Sequence, residues 1–106
     1  MSEGAEAIVV LITAPPDRAP ELARSLVEAR LAACVAELPI RSTYRWKDAI
    51  EVGAEVQLVL KTTHDRFAAI EAHLATHQPY EVPELVALRV ADVGAPYLAW
   101  LRAETG

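Results

Sequence analysis

The chain is poor in cysteine, glycine and aromatic residues, has no long apolar run, and carries no excess of positive charge. Its single cysteine, Cys34, excludes an intrachain disulfide and a CxxC metal knuckle. Its four glycines, Gly4, Gly53, Gly94 and Gly106, are scattered, which excludes a glycine-rich loop cradling a phosphate. No apolar run approaches the about 18 residues of a membrane span. Lys and Arg number 10 against 15 Asp and Glu, a formal charge of −5 with a pI near 5.1. That balance argues against nucleic acid and against an anionic membrane surface as partners. The segment Met1-Ser2-Glu3-Gly4-Ala5-Glu6 lacks the positive region of a signal peptide. The expectation is a cytoplasmic protein with one domain over residues 1–106, with neither a nucleic-acid nor a membrane partner.

What is present is 53% apolar side chains arranged in clear periods. Residues 7–13, Ala-Ile-Val-Val-Leu-Ile-Thr, form a β-branched run closed by Pro15-Pro16, the pattern of a strand buried on both faces. Asp17 is positioned to cap a helix over 18–32, with Pro20 in its first turn and Leu22, Leu26, Ala29 and Ala33 at helical spacing. From Cys34 the period becomes 2, and it continues through 50–62. A tight turn centred on Asp48 would set Arg45 opposite Glu51, Arg41 opposite Glu55, Tyr44 opposite Val52 and Trp46 opposite Ile50. Thr63 or Asp65 would cap a second helix over 65–77 carrying Phe67, Ile70 and Leu74. Pro79 and Pro83 hold the following segment extended, 85–90 reads as a strand, and Gly94 and Pro96 introduce a terminal helix.

The element order predicts an α+β, ferredoxin-like β-α-β-β-α-β sandwich with a long central hairpin and a C-terminal helix. Both helices lie on one face of the sheet. The uncovered face would carry Glu37, Arg41, Arg45, Glu51, Glu55, Gln57 and Lys61. Hairpin strands of about 12–13 residues, roughly double the usual length, leave unpaired edges that invite association. A homo-oligomer paired through the hairpin arms follows.

Few residues offer chemistry. Cys34 is a soft ligand for copper or zinc, or a small buried apolar residue among apolar neighbours. His73 and His77 have the spacing of a metal-binding pair, and equally that of one packed and one solvated histidine. Lys61, Glu55 and Glu84 could bind an anion or exchange protons, and Tyr80 stands stiffly between two prolines. No HExxH motif or nucleophile–base pair is present, so no catalytic constellation is predicted. Two other classes share the element order. An acylphosphatase-type enzyme acting on a small anionic substrate would need an Arg in a glycine-bearing loop where Pro15-Pro16 stands. An RNA-recognition domain would need aromatic residues on strands one and three, which have none.

Thr13-Ala14-Pro15-Pro16-Asp17, Leu31-Ala32-Ala33-Cys34-Val35, Ser42-x-Tyr44-x-Trp46 with Glu55, Leu60-Lys61-Thr62-Thr63, Pro79-Tyr80-x-x-Pro83-Glu84 and Tyr97-Leu98-x-Trp100-Leu101 resemble, in order and spacing, the CutA family of divalent-cation tolerance proteins. The resemblance spans about 7–103. It implies a ferredoxin-like fold, a homotrimer akin to PII-type signalling proteins, and a non-enzymatic binding or signalling role in the response to metal ions, with copper binding among members. In such a trimer the expected ligand site is a cleft between subunits containing Trp46, Glu55, Lys61, Tyr80 and Glu84, with Cys34 and His77 as metal candidates. The chain departs from the family pattern at Ile12, where some members have Cys, and at Gln78, where members have His.

Overall fold

The computed structural model describes residues 3–77 and 79–105. Gln78, at the departure noted above, lies outside the described residues. A 3-10 turn, Glu3–Ala5, leads into β1 (Ala7–Ala14) and α1 (Ala19–Glu28), followed by β2 (Cys34–Trp46) and β3 (Ala49–Thr63). A second 3-10 turn, His64–Arg66, opens into α2 (Phe67–His77), and β4 (Val86–Arg89) and α3 (Ala95–Thr105) complete the chain. The four strands form one antiparallel sheet in the order β2-β3-β1-β4, which is the ferredoxin-like arrangement expected from the element order.

β1 is buried on one face rather than two. Ile8, Val10, Ile12 and Ala14 lie in the core with Leu58 and Leu60 of β3, Leu22 and Leu26 of α1, and Ile70 and Leu74 of α2. Val9 and Leu11, pointing the other way, are only half-buried because both helices cover the same side. α1 is shorter than its apolar spacing suggests. It stops at Ala29 because Arg30 takes a left-handed conformation, φ 60°, and the N–H groups of Arg30 and Leu31 return to the carbonyls of Val27 and Leu26. Neither Asp17 nor Thr63 forms its expected cap. Arg18 occupies the cap position of α1, and the Thr63 hydroxyl donates to Asp65 rather than to the backbone. α3 is tied to the rest by Arg30 Nη2 to the Ala103 carbonyl (2.5 Å) and Arg102 Nε to the Ala5 carbonyl (3.0 Å).

The hairpin corrects the expected pairing by one residue. The turn contains two residues, Lys47 and Asp48, both left-handed at φ 48° and 64°, the pattern of a type I′ turn. Trp46 therefore faces Ala49, Arg45 faces Ile50, Tyr44 faces Glu51, and Ile40, not Arg41, faces Glu55. A slip of one residue exchanges the faces. The uncovered face carries Cys34, Ala36, Leu38, Ile40, Ser42, Tyr44 and Trp46 of β2 beside Glu51, Glu55, Gln57, Val59 and Lys61 of β3. Glu37, Arg41 and Arg45 fall on the opposite face. The charge-on-charge ladder of the expected register does not form.

β1 reaches only as far as Val56 of β3, so 49–55 and the facing half of β2 project as a two-stranded arm about 24 Å long. The arm draws the molecule out to 45 × 26 × 22 Å.

Candidate functional site

At the root of the arm the segment 79–84 crosses the uncovered face of the sheet and encloses a cleft of about 700 Å³. Its floor is Thr13 of β1, Ile40, Ser42, Tyr44 and Trp46 of β2, and Glu55 and Gln57 of β3. These side chains converge because they share one parity in the hairpin as it is actually paired, with Thr13 facing Gln57. Between Pro79 and Pro83 the crossing segment bends at Glu81 and Val82, and Tyr80 and Glu84 reach the floor from before and after that bend.

Two hydrogen bonds fasten that segment to the floor. The Tyr80 hydroxyl donates to Glu55 Oε2 at 2.7 Å. Gln57 Nε2 donates to the Ile12 carbonyl at 2.8 Å and to Glu84 Oε2 at 2.7 Å, so one amide joins β1, β3 and the crossing segment. Burial raises the Tyr80 pKa well above its ordinary value, and the bond to Glu55, the Glu55 charge and the nearby Tyr44 and Asp17 act in the same direction. Tyr80 therefore remains a neutral donor. At the rim, Lys47 Nζ pairs with Glu81 at 3.6 Å and lies 5.5 Å from the centre of the Trp46 ring.

Of the residues the sequence singles out, Trp46, Glu55, Tyr80 and Glu84 line this cleft together. Lys61 does not. It stands on the same face but six positions along β3, about 20 Å away, opposite Cys34 on one side and Val9 on the other. Gln57 is the residue that sequence reasoning missed as a site member, although its position two residues from Glu55 on one strand face was visible. Cys34 and His77 do not meet within one chain. Cys34 lies on the uncovered face, while α2 packs its Ile70 and Leu74 against the covered one. His77 instead stacks on His73 with ring centroids 3.8 Å apart, and its Nδ1 lies 2.9 Å from the His73 carbonyl. His73 Nε2 lies 2.8 Å from Ser25 Oγ, whose own hydrogen goes to the Leu22 carbonyl. Among the described residues no group of three or more His, Cys, Asp or Glu is placed to hold a metal ion. No helix among them is long and apolar enough to cross a membrane.

The model of the CutA1 divalent ion tolerance protein family matches residues 8–104. The chain is similar to the divalent-cation tolerance protein CutA of Pectobacterium atrosepticum, with 45% identity over 100 residues covering 92% of this chain and 91% of that protein. Among solved structures it is similar to the periplasmic divalent cation tolerance protein CutA of Archaeoglobus fulgidus, at 29% identity and a TM-score of 0.91 over 94% of this chain and 99% of that one. It is likewise similar to the PII-like protein CutA of Nostoc sp. PCC 7120, at 31% identity and a TM-score of 0.88 over 93% and 97%. These relatives are named as tolerance proteins rather than enzymes, and nothing supports the acylphosphatase alternative. The chain belongs to the CutA1 family of divalent ion tolerance proteins, on a PII-like, ferredoxin-like fold.

Proposed function

We propose that the protein is a non-enzymatic binding module of the divalent-cation response, and that its ligand, a small molecule or a metal ion such as copper, enters the cleft at the root of the arm. The observation that carries this reading is the pair of bonds from Tyr80 to Glu55 and from Gln57 to Glu84. They hold two carboxylates in place across a cleft of a volume suited to a small ligand. Among the described residues lining the cleft no nucleophile–base pair is placed, which favours binding over turnover.

The working particle is a homotrimer assembled through the hairpin arms. The arm supports this with apolar side chains on both of its faces, Tyr44 on one and Ile50 and Val52 on the other, about half exposed in the single chain. Leu38, Val86 and Leu88 add to the uncovered apolar area of the sheet. Sedimentation at micromolar concentration reads out the assembly, since a species of 11.5 kDa would exclude it. Residues 1–106 act as one domain in the cytoplasm, where Cys34 stays reduced; cell fractionation distinguishes this from the periplasm named for the Archaeoglobus relative.

The functional test is growth of cells lacking the protein under graded copper stress, restored by the wild-type gene. Restoration should fail with a Glu55→Gln/Glu84→Gln variant that is made in equal amount and sediments normally. Full restoration by that variant would remove the cleft from the function. Failure of a Cys34→Ala/His77→Ala variant instead would return the role to those two residues.

A further inference from the structure

The cleft combines aromatic walls with carboxylates that have no cationic partner. Trp46, Tyr44 and Tyr80 line it, and Glu55 and Glu84 point into it. No basic side chain among the described residues pairs with either carboxylate. Each is held by a neutral donor acting on Oε2, Tyr80 for Glu55 and Gln57 for Glu84, which orients the carboxylate without neutralising it. The remaining oxygen, Oε1, is available to a ligand. Negative charge beside aromatic side chains in one cleft selects a cation that also has an apolar body.

The molecule already contains one example of that recognition at the rim. The Lys47 ammonium is seated between the Trp46 ring and the Glu81 carboxylate, and both of those side chains also line the cleft. Inside, the same pairing of ring and carboxylate recurs with no ammonium of the protein's own. We infer that the cleft takes a small organic ammonium ion, an amine or diamine, rather than a bare metal ion. This rests on the reading that the cleft is the ligand site. A hard divalent cation fills about six oxygen sites, and with two carboxylates among aromatic rings the cleft would leave most of that shell to water. An alkyl ammonium needs only one carboxylate for its charge and a ring for its stem. Glu55 and Gln57, the latter carrying Glu84, are two positions apart on one strand face, about 7 Å. Two carboxylates reached from neighbouring positions of one strand face suit a ligand with two ammonium groups, a diamine.

Calorimetric titration of the native oligomer with 1,4-diaminobutane at low salt tests the inference. The expected result is saturable binding of one diamine per chain, weakening as KCl rises. Glu55→Gln and Glu84→Gln should each reduce affinity about tenfold or more, the scale of a lost charge-assisted hydrogen bond. Glu71→Gln, at an exposed carboxylate on α2, should leave it unchanged. Melting curves of the unliganded variants check that they fold, and Trp46→Leu supplies a variant that keeps both carboxylates while weakening the same binding. Absence of saturable binding, or equal binding by Glu55→Gln, Glu84→Gln and wild type, overturns the inference. Copper binding that depends on Glu55 and Glu84, with none of the diamine, overturns the ammonium but keeps the cleft. Loss of both, together with copper tolerance indifferent to the two carboxylates, overturns the cleft itself.

Discussion

The Tyr80 hydroxyl donates to Glu55 Oε2 across 2.7 Å and so ties a proline-flanked segment to the middle of β3, 25 positions earlier in the chain. The bond bridges the cleft and orients one of its two carboxylates, and it adds to burial in keeping the phenol protonated. Tyr80→Phe keeps the ring and deletes the donor. Urea unfolding should show a loss of about 1 kcal/mol through a lower midpoint at unchanged slope. Ligand affinity should fall as well, because Glu55 would no longer be held in one orientation.

The hairpin turn places two non-glycine residues, Lys47 and Asp48, at positive φ, which a type I′ turn requires and side chains disfavour. Asp48→Gly should therefore stabilise the protein by about 0.5–1 kcal/mol, read as a higher melting temperature. No gain would contradict the two-residue turn.

Gln57 donates to both the Ile12 carbonyl and Glu84. Gln57→Glu replaces that donor by a third carboxylate facing two acceptors. Stability at pH 7 should fall, and because the neighbouring Glu84 carboxylate and Ile12 carbonyl raise the introduced carboxyl's folded pKa, it should recover as the pH drops from that raised value toward about 4.3, the ordinary glutamate value of the unfolded chain. A melting series from pH 7 to 4 reads this as a reversal of the wild-type trend.

His73 titrates below its ordinary 6.5, first because of burial and then because of the His77 charge stacked on it. The folded state therefore favours the neutral ring, which donates from Nε2 to Ser25 Oγ. The stability that depends on neutral His73 is present in full above pH 6.5 and is lost as the pH falls through the lowered folded value. Melting temperature should decline from pH 7 to 5, and His73→Gln, which keeps a donor, should flatten that decline.

The elements were legible because each has an unambiguous period. The switch from 3.6 to 2 at Cys34, the paired prolines and the β-branched first strand specify the strand and helix order without tertiary information. The register was not legible. Arg45 with Glu51 and Arg41 with Glu55 make a plausible ladder, but the left-handed pair at Lys47 and Asp48 fixes the pairing one residue away. Aspartate tolerates that backbone without signalling it as glycine would. The cleft was readable only in part. Glu55 and Glu84 stand out as charges on an uncovered face and Tyr80 as an aromatic held between prolines, with Trp46 added from the hairpin, whereas Gln57 acquires its role only when β1, β3 and the crossing segment meet around one amide. Lys61, grouped with them as a charge on the same strand face, lies too far along β3 to join them in one chain.

The most direct measurement is native mass spectrometry of the protein purified from its own cells, compared with the Glu55→Gln/Glu84→Gln variant prepared in the same way. A three-chain particle is expected for both, with an additional small-molecule or metal mass carried by the wild type and missing from the variant. A bare 11.5 kDa chain, or an identical bound mass on both proteins, would contradict it.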